Sequence, residues 1–175
     1  RRVKQTVALH DLPPAVLEQI DAANYAGVFE LKQGDMLVPG GFGDLAAWYA
    51  DTNYVSLTAQ GLQFLPMDGY YKISVNTDTK MVLFKRVNAD GTDATLADDG
   101  SGAIWLMGWG TGLPSLDFQF GWNPGEAYCM PEVKPGVYQL IGTAGPEHGS
   151  SLGQYFRYDY LSFKYFHQNG WGGEM

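Results

Sequence analysis

A single cysteine, Cys129, is all the thiol in these 175 residues. It excludes an internal disulfide and a thiolate-clustered metal site, and it leaves the redox compartment open. Charge is scarce too: 17% of residues are Asp, Glu, Lys or Arg, against about 25% in soluble domains. Positive charge is the scarcer kind, with 11 Lys and Arg against 19 Asp and Glu, for a formal net charge of −8. Beyond Lys85-Arg86 and Arg1-Arg2 there is no basic stripe. Nucleic acid is therefore not expected as a partner, because phosphate contacts need clustered cations. The same balance disfavours an anionic membrane surface. No apolar run approaches the roughly 20 residues of a spanning helix. The chain opens on "RRVKQT" rather than on Met and an apolar stretch, so no signal peptide is read there and a processed or excised product is expected.

What is abundant points elsewhere. The chain has 23 glycines, 45% hydrophobic residues and 14% aromatics. Many turns, many aromatics and few charges predict an all-β protein. One stretch, "DLPPAVLEQIDAANY", carries helix signals: Asp11 as a cap, prolines suited to a first turn, and Val16, Leu17 and Ile20 at helical spacing. A short helix near residues 13–20 is expected, and no second one.

Elsewhere the period is two. "GVFEL" and "DMLVPGGFG" predict short strands, with turns at Gln33-Gly34 and Pro39-Gly40-Gly41. "GYYKISVNTDTKMVLFKRV", residues 69–87, alternates Tyr71, Ile73 and Val75 with Lys72 and Ser74. With a turn at "NTDT" it predicts a hairpin. "NADGTDATLADDGSG", residues 88–102, is polar and reads as a long loop or linker. Its Asp90, Asp93, Asp98 and Asp99 offer hard oxygen ligands of the kind calcium takes, but their spacing does not follow an EF-hand loop. Further strands are expected in "AIWLMGW", "GVYQLIG" and "QYFRYDYLSFKYF". The division expected is an N-terminal β-sandwich-like unit at 1–97 and a second unit at 98–175. A single merged sandwich is the alternative, since each unit is small.

The tryptophans are the candidate binding residues. Trp105 alternates with Met107 inside a strand and is expected in the core. Trp109, Trp122 and Trp171 each follow a glycine, in "GWGTGLPS", "GWNPGE" and "NGWGG". An indole held on a glycine-rich loop can present a flat apolar face, on which the C–H face of a sugar ring stacks. A nearby lysine donates hydrogen bonds to the hydroxyls. In "SFKYF", Lys164 alternates with Phe163 and Tyr165 and points to the opposite face.

These motifs, "AIWLMGWGTG … GWNPGEAYCMPEVKPGVYQLIG … LSFKYFHQNGWGGEM", resemble the carbohydrate-binding modules of SusE/SusF-type surface lipoproteins of Bacteroidetes. The matching positions are Ile104–Gly108, Gly121-Trp122, Gly136–Tyr138, Phe163–Phe166 and Trp171. Residues 69–87 resemble the closing hairpin of a related sandwich. The resemblance implies immunoglobulin-like or carbohydrate-binding-module β-sandwich units. It also implies a lipoprotein exposed at the outer membrane, holding a polysaccharide or oligosaccharide for a porin and lipoprotein complex of the same uptake system, with no cofactor. Carried over by motif, it nominates Trp122, Lys164 and Trp171, to which the loop reading adds Trp109. The stretch "GWGTGLPSLDFQFGW" departs from the short loop of the starch binders, which puts starch in doubt as the sugar. The family's module continues past this last tryptophan into a further hairpin, so the second unit is expected to be incomplete at Met175.

Catalysis finds less support. A glycosidase needs two carboxylates flanking the scissile bond. Nothing in the spacing of Asp117, Glu126, Glu132, Glu147, Asp159 and Glu174 singles out a pair. There is no G-x-S-x-G and no H-E-x-x-H, and His10, His148 and His167 are dispersed. Cys129, between Tyr128 and Met130, is expected as a buried apolar residue. The sequence therefore predicts a non-enzymatic protein that binds glycan. A protein-interaction or adhesin module without a sugar site is the alternative.

Overall fold

The computed structural model describes residues 6–9, 15–114, 116, 118–145 and 155–175. The first strands are β1 (Thr6–Leu9), β2 (Ala15–Val16), β3 (Glu18–Gln19), β4 (Asn24–Leu31) and β5 (Met36–Gly40). After a 3-10 turn at Leu45–Ala47 come β6 (Tyr49–Ala50), β7 (Val55–Thr58), β8 (Gly61–Phe64), β9 (Gly69–Asn76) and β10 (Met81–Val87). Next are β11 (Ile104–Gly112), β12 (Gln119–Gly121), β13 (Tyr128–Met130), β14 (Glu132–Lys134) and β15 (Val137–Tyr138). The chain finishes with β16 (Thr143–Gly145), β17 (Tyr155–Arg157) and β18 (Ser162–Phe166). The protein is all-β, in sandwich-like arrangements of several sheets.

The expected hairpin is β9 and β10, in antiparallel register from Met81 opposite Asn76 to Val87 opposite Tyr70. Its turn is held by Asn76, whose Oδ1 accepts from the Asp78 and Thr79 amides at 3.0 and 2.9 Å. That is an Asx turn. The alternation is kept: Tyr71, Ile73 and Val75 are buried, while Lys72 and Ser74 are only half-buried. The hairpin belongs to the sheet β3-β4-β9-β10-β6, and the facing sheet runs β2-β1-β5-β8-β7. Between them aromatic rings interlock. Phe64 meets Tyr71 edge-on at 4.7 Å, and Tyr54 stacks on Phe84 at 5.5 Å and 9°. Such pairs add about 0.5–1.5 kcal/mol each beyond the area they bury.

The helix expected near 13–20 is not formed where the chain is described. Ala15–Val16 pairs with β1 and Glu18–Gln19 with β4, while residues 13 and 14 lie outside the described residues. Leu17 is the hinge between the two pieces and is 2% exposed. A few apolar residues at helical spacing give too little to nucleate a helix, and strand pairing supplies the backbone partners instead.

The third sheet is built on β11. Its first half pairs with β13 and β18, and its second half with β12 and β17. The exchange of partners occurs around Gly108, at φ +144, where a Cβ would lie 2.2 Å from the Ser162 carbonyl oxygen. Only glycine permits that approach. Residues 173–175 fold back on β18, with Met175 N donating to Tyr165 O at 3.0 Å and His167 N to Gly173 O at 2.8 Å.

The segments on either side of residue 97 share one apolar cluster. Leu106, Leu113, Tyr128 and Met130 pack with Tyr54, Phe64, Tyr71 and Phe84. Tyr54 Oη donates to Cys129 O at 2.6 Å and Met67 N to Glu132 O at 2.8 Å. The polar stretch 88–102 is tied down as well. Ala94 is buried and its carbonyl accepts from Trp105 Nε1 at 2.9 Å, while Leu96 N donates to His167 O.

Candidate functional site

Register decides which side chains meet on β11 and β18. Trp105 lies opposite Phe166, Met107 opposite Lys164, and Trp109 opposite Ser162. Directly opposite residues share a face, so Trp109 and Lys164 project from the same side of this pair. Leu106, Phe163 and Tyr165 take the other side, where Phe163 packs against the main core. The Lys164 face is apolar at one end. There Trp105, Met107, Cys129 and Phe166 form a second small cluster with Ala94 and Ala103, and Trp122 packs at its margin. Trp105 is 1% exposed, as its alternation with Met107 predicts.

Trp171 is brought to the same margin by the segment that follows β18. Its ring stacks on Trp122 with centroids 6.1 Å apart and planes 13° from parallel. It also meets Phe166 edge-on at 5.8 Å. Asn169 fixes the approach: Oδ1 accepts from Ala127 N at 3.1 Å, and Nδ2 donates to Asp93 at 2.8 Å and to Gly125 O at 3.2 Å. Gln168 Nε2 also donates to the Trp171 carbonyl. Trp171 is nonetheless 54% exposed. Two indoles set apart on loops could each take a sugar ring of its own. In the structure each indole turns one face to the other, so Trp171 offers its outer side.

Lys164 is ion-paired with Glu174, Nζ to Oε1 2.6 Å, and both are about half exposed. At that exposure the pair adds little stability. It does place an ammonium and a carboxylate side by side on the tryptophan face. Trp109 is exposed too, but it stands inside β11 rather than on the loop that its flanking glycines suggest. It lies two residues along the strand from Met107, roughly 7 Å. The structure thus gathers Trp122 and Trp171 into one stack and puts Lys164 and Trp109 on the adjoining strands' shared face.

The acids have other duties. Asp90 accepts from Thr92, and Asp99 from Ser101, each closing its own turn. Asp93 is held by Lys85 at 2.5 Å and by Asn169. Among the described residues no three His, Cys, Asp or Glu side chains gather as metal ligands. Glu132 is buried and accepts from Tyr138 Oη at 2.9 Å. Asp159 pairs with Arg157 at 2.6 Å. Asp117, Glu147, His10 and His148 lie outside the described residues. Cys129 is buried, and burial pushes its thiol up to about 11.

Sequence reasoning missed a second exposed group, Tyr158, Tyr160 and Leu161, all well exposed. The run "QYFRYDYLSFKYF", where further strands were expected, forms two: β17 stops at Arg157 and β18 starts at Ser162. The intervening strap passes over Gly110, where a Cβ would lie 2.3 Å from the Tyr160 carbonyl oxygen. No helix among the described residues is long and apolar enough to cross a membrane.

A family model described as "Domain of unknown function (DUF5121)" matches residues 99–175, less than half of the chain. No curated protein and no solved structure matches.

Proposed function

We propose that this protein binds a polysaccharide or oligosaccharide without transforming it, on the face that carries Trp122, Trp171, Lys164 and Trp109. The observation that supports this reading is the Trp122–Trp171 stack, 13° from parallel, with Trp171 54% exposed. A ring already held by Trp122 and Phe166 loses little freedom when a sugar settles on its outer face. The sugar's C–H groups lie on the indole, and Lys164 and Glu174 beside it supply donors and acceptors for hydroxyls. Trp109 offers a further contact along the strand. The reading carries with it a place at the outer-membrane surface, beside a porin and lipoprotein complex that takes up the captured glycan.

A glycan array and affinity electrophoresis test it. Retention by a soluble polysaccharide gel is expected for the native chain and lost in Trp171→Ala. Retention at native strength by both Trp171→Ala and Trp109→Ala, each folded, would dismiss this face. A protein-interaction module is the second reading, favoured by the exposed Tyr158, Tyr160 and Leu161; it predicts no glycan retention at all.

A further inference from the structure

The outer face of the β9–β10 hairpin is not bare. Lys72 lies opposite Lys85 and Ser74 opposite Leu83, so all four side chains share that face. Across from them runs the segment from Phe120 to Tyr128, and between the two is an open groove of about 370 Å³. That volume is within the range of small-molecule sites, roughly 300–1,000 Å³. Trp109, Trp122, Lys164 and Trp171 do not line it.

Its walls are set by other contacts. Phe120 stacks on Tyr128 at 5.3 Å and 14°. Asn169 spends its amide on Asp93, Gly125 and Ala127, and Lys85 is taken by Asp93. Leu83, Phe120 and Ala127 give a half-buried apolar floor. Three polar groups are left over: the Lys72 ammonium, the Ser74 hydroxyl and the Glu126 carboxylate. Among the described residues none of these has a hydrogen-bond or ion-pair partner in its side chain.

We infer that this groove is a binding site for one neutral sugar ring, separate from the tryptophan face. Lys72 donates only, Glu126 accepts only and Ser74 does both, which suits hydroxyls that must both give and take. The apolar floor suits the C–H face of the ring. Charge argues against an anion, because Glu126 balances Lys72 and Asp93 balances Lys85. The inference does not rest on the tryptophan reading, since no residue nominated there contributes.

Titration of the ¹⁵N-labelled chain with methyl glycosides of glucose, galactose and mannose, followed by amide chemical shifts, tests it. Glucuronate and inorganic phosphate are run in parallel. Saturable shifts at Ser74, Gly125 and Glu126 are expected with at least one glycoside. Affinity should fall by about tenfold or more in Lys72→Ala and in Glu126→Gln, and hold in Trp171→Ala. Ser74→Ala, which removes a single hydroxyl, repeats the test if either charge variant loses its dispersed spectrum. Shifts confined to residues around Trp171 would overturn the groove while leaving the tryptophan face standing. Binding of glucuronate or phosphate alone, lost in Lys72→Ala but kept in Glu126→Gln, would make it an anion site and overturn the proposal, as would no shift with any probe.

Discussion

Tyr128 donates its phenolic hydrogen to Asp51 at 2.9 Å, where Asp51 is wholly buried. The bond joins the strand that follows the tryptophan loop to the turn at 51–54. There Asp51 also accepts from Asn53 N at 3.0 Å. Burial raises the carboxyl to about 6 from an ordinary 3.8, against the pull of the Asn53 and Tyr128 hydrogen bonds.

Stability should therefore depend on pH in a definite direction. Between about pH 4 and 6 the folded chain keeps a proton on Asp51 that the unfolded chain has released. Its contribution is full below pH 4 and fades as pH rises through 6. The amount at stake is about 3 kcal/mol at most. Denaturant midpoints compared at pH 4.5 and 7.5 should show that loss, and Asp51→Asn should flatten it. An Asp51→Asn variant with the native pH slope assigns the dependence to another group.

Tyr128→Phe leaves the buried Asp51 one partner short. A cost of about 1–3 kcal/mol is expected, read from chemical unfolding at pH 7.5. It should shrink at pH 4.5, where the carboxyl is neutral. An unchanged penalty at both pH values would show that ring packing, not the hydrogen bond, sets the cost.

Asn169→Ala should disturb Trp171 more than it disturbs the core. It removes the bonds to Ala127, Gly125 and Asp93 that tie the loop to its neighbours, while the bonds of Gln168, His167 and Met175 within the C-terminal segment remain. The near-ultraviolet circular dichroism of the stacked indoles should fall, and glycan retention with it, while the far-ultraviolet spectrum stays native. Retention at native strength with a lost indole signal would separate ring order from binding.

Gly108→Ala and Gly125→Ala both place a side chain at positive φ, but in different surroundings. At Gly125, φ +88, a Cβ meets nothing within 4 Å, and a cost of about 1–2 kcal/mol is expected. At Gly108 it meets the Ser162 oxygen at 2.2 Å and the Phe163 Cα at 2.4 Å. That should exceed about 3 kcal/mol or abolish folding. Comparable thermal midpoints for the two would mean that β18 can shift away from β11.

The β9–β10 hairpin was legible in the sequence because its alternation and its Asn76 turn are local. The segment around Leu17 was misread because apolar spacing over a few residues is compatible with two periods, and pairing with β1 and β4 decided between them. Tyr54 with Cys129 and Asp51 with Tyr128 lie 75 and 77 residues apart, and no local pattern announces them. The glycine-tryptophan pairs at 121–122 and 170–171 drew attention to two rings that the fold stacks on each other. Their mutual orientation depends on Asn169, an ordinary loop residue in sequence.

Leu106, Leu113, Tyr128 and Met130 belong to the same apolar cluster as Phe64 and Phe84, although the family match starts only at residue 99. The matched span therefore shares its apolar cluster with residues that precede it. Cut free, residues 99–175 would turn those four side chains towards water and self-associate. The residues ahead of the match, Tyr54, Phe64, Tyr71 and Phe84 among them, are what cover that apolar face in this chain.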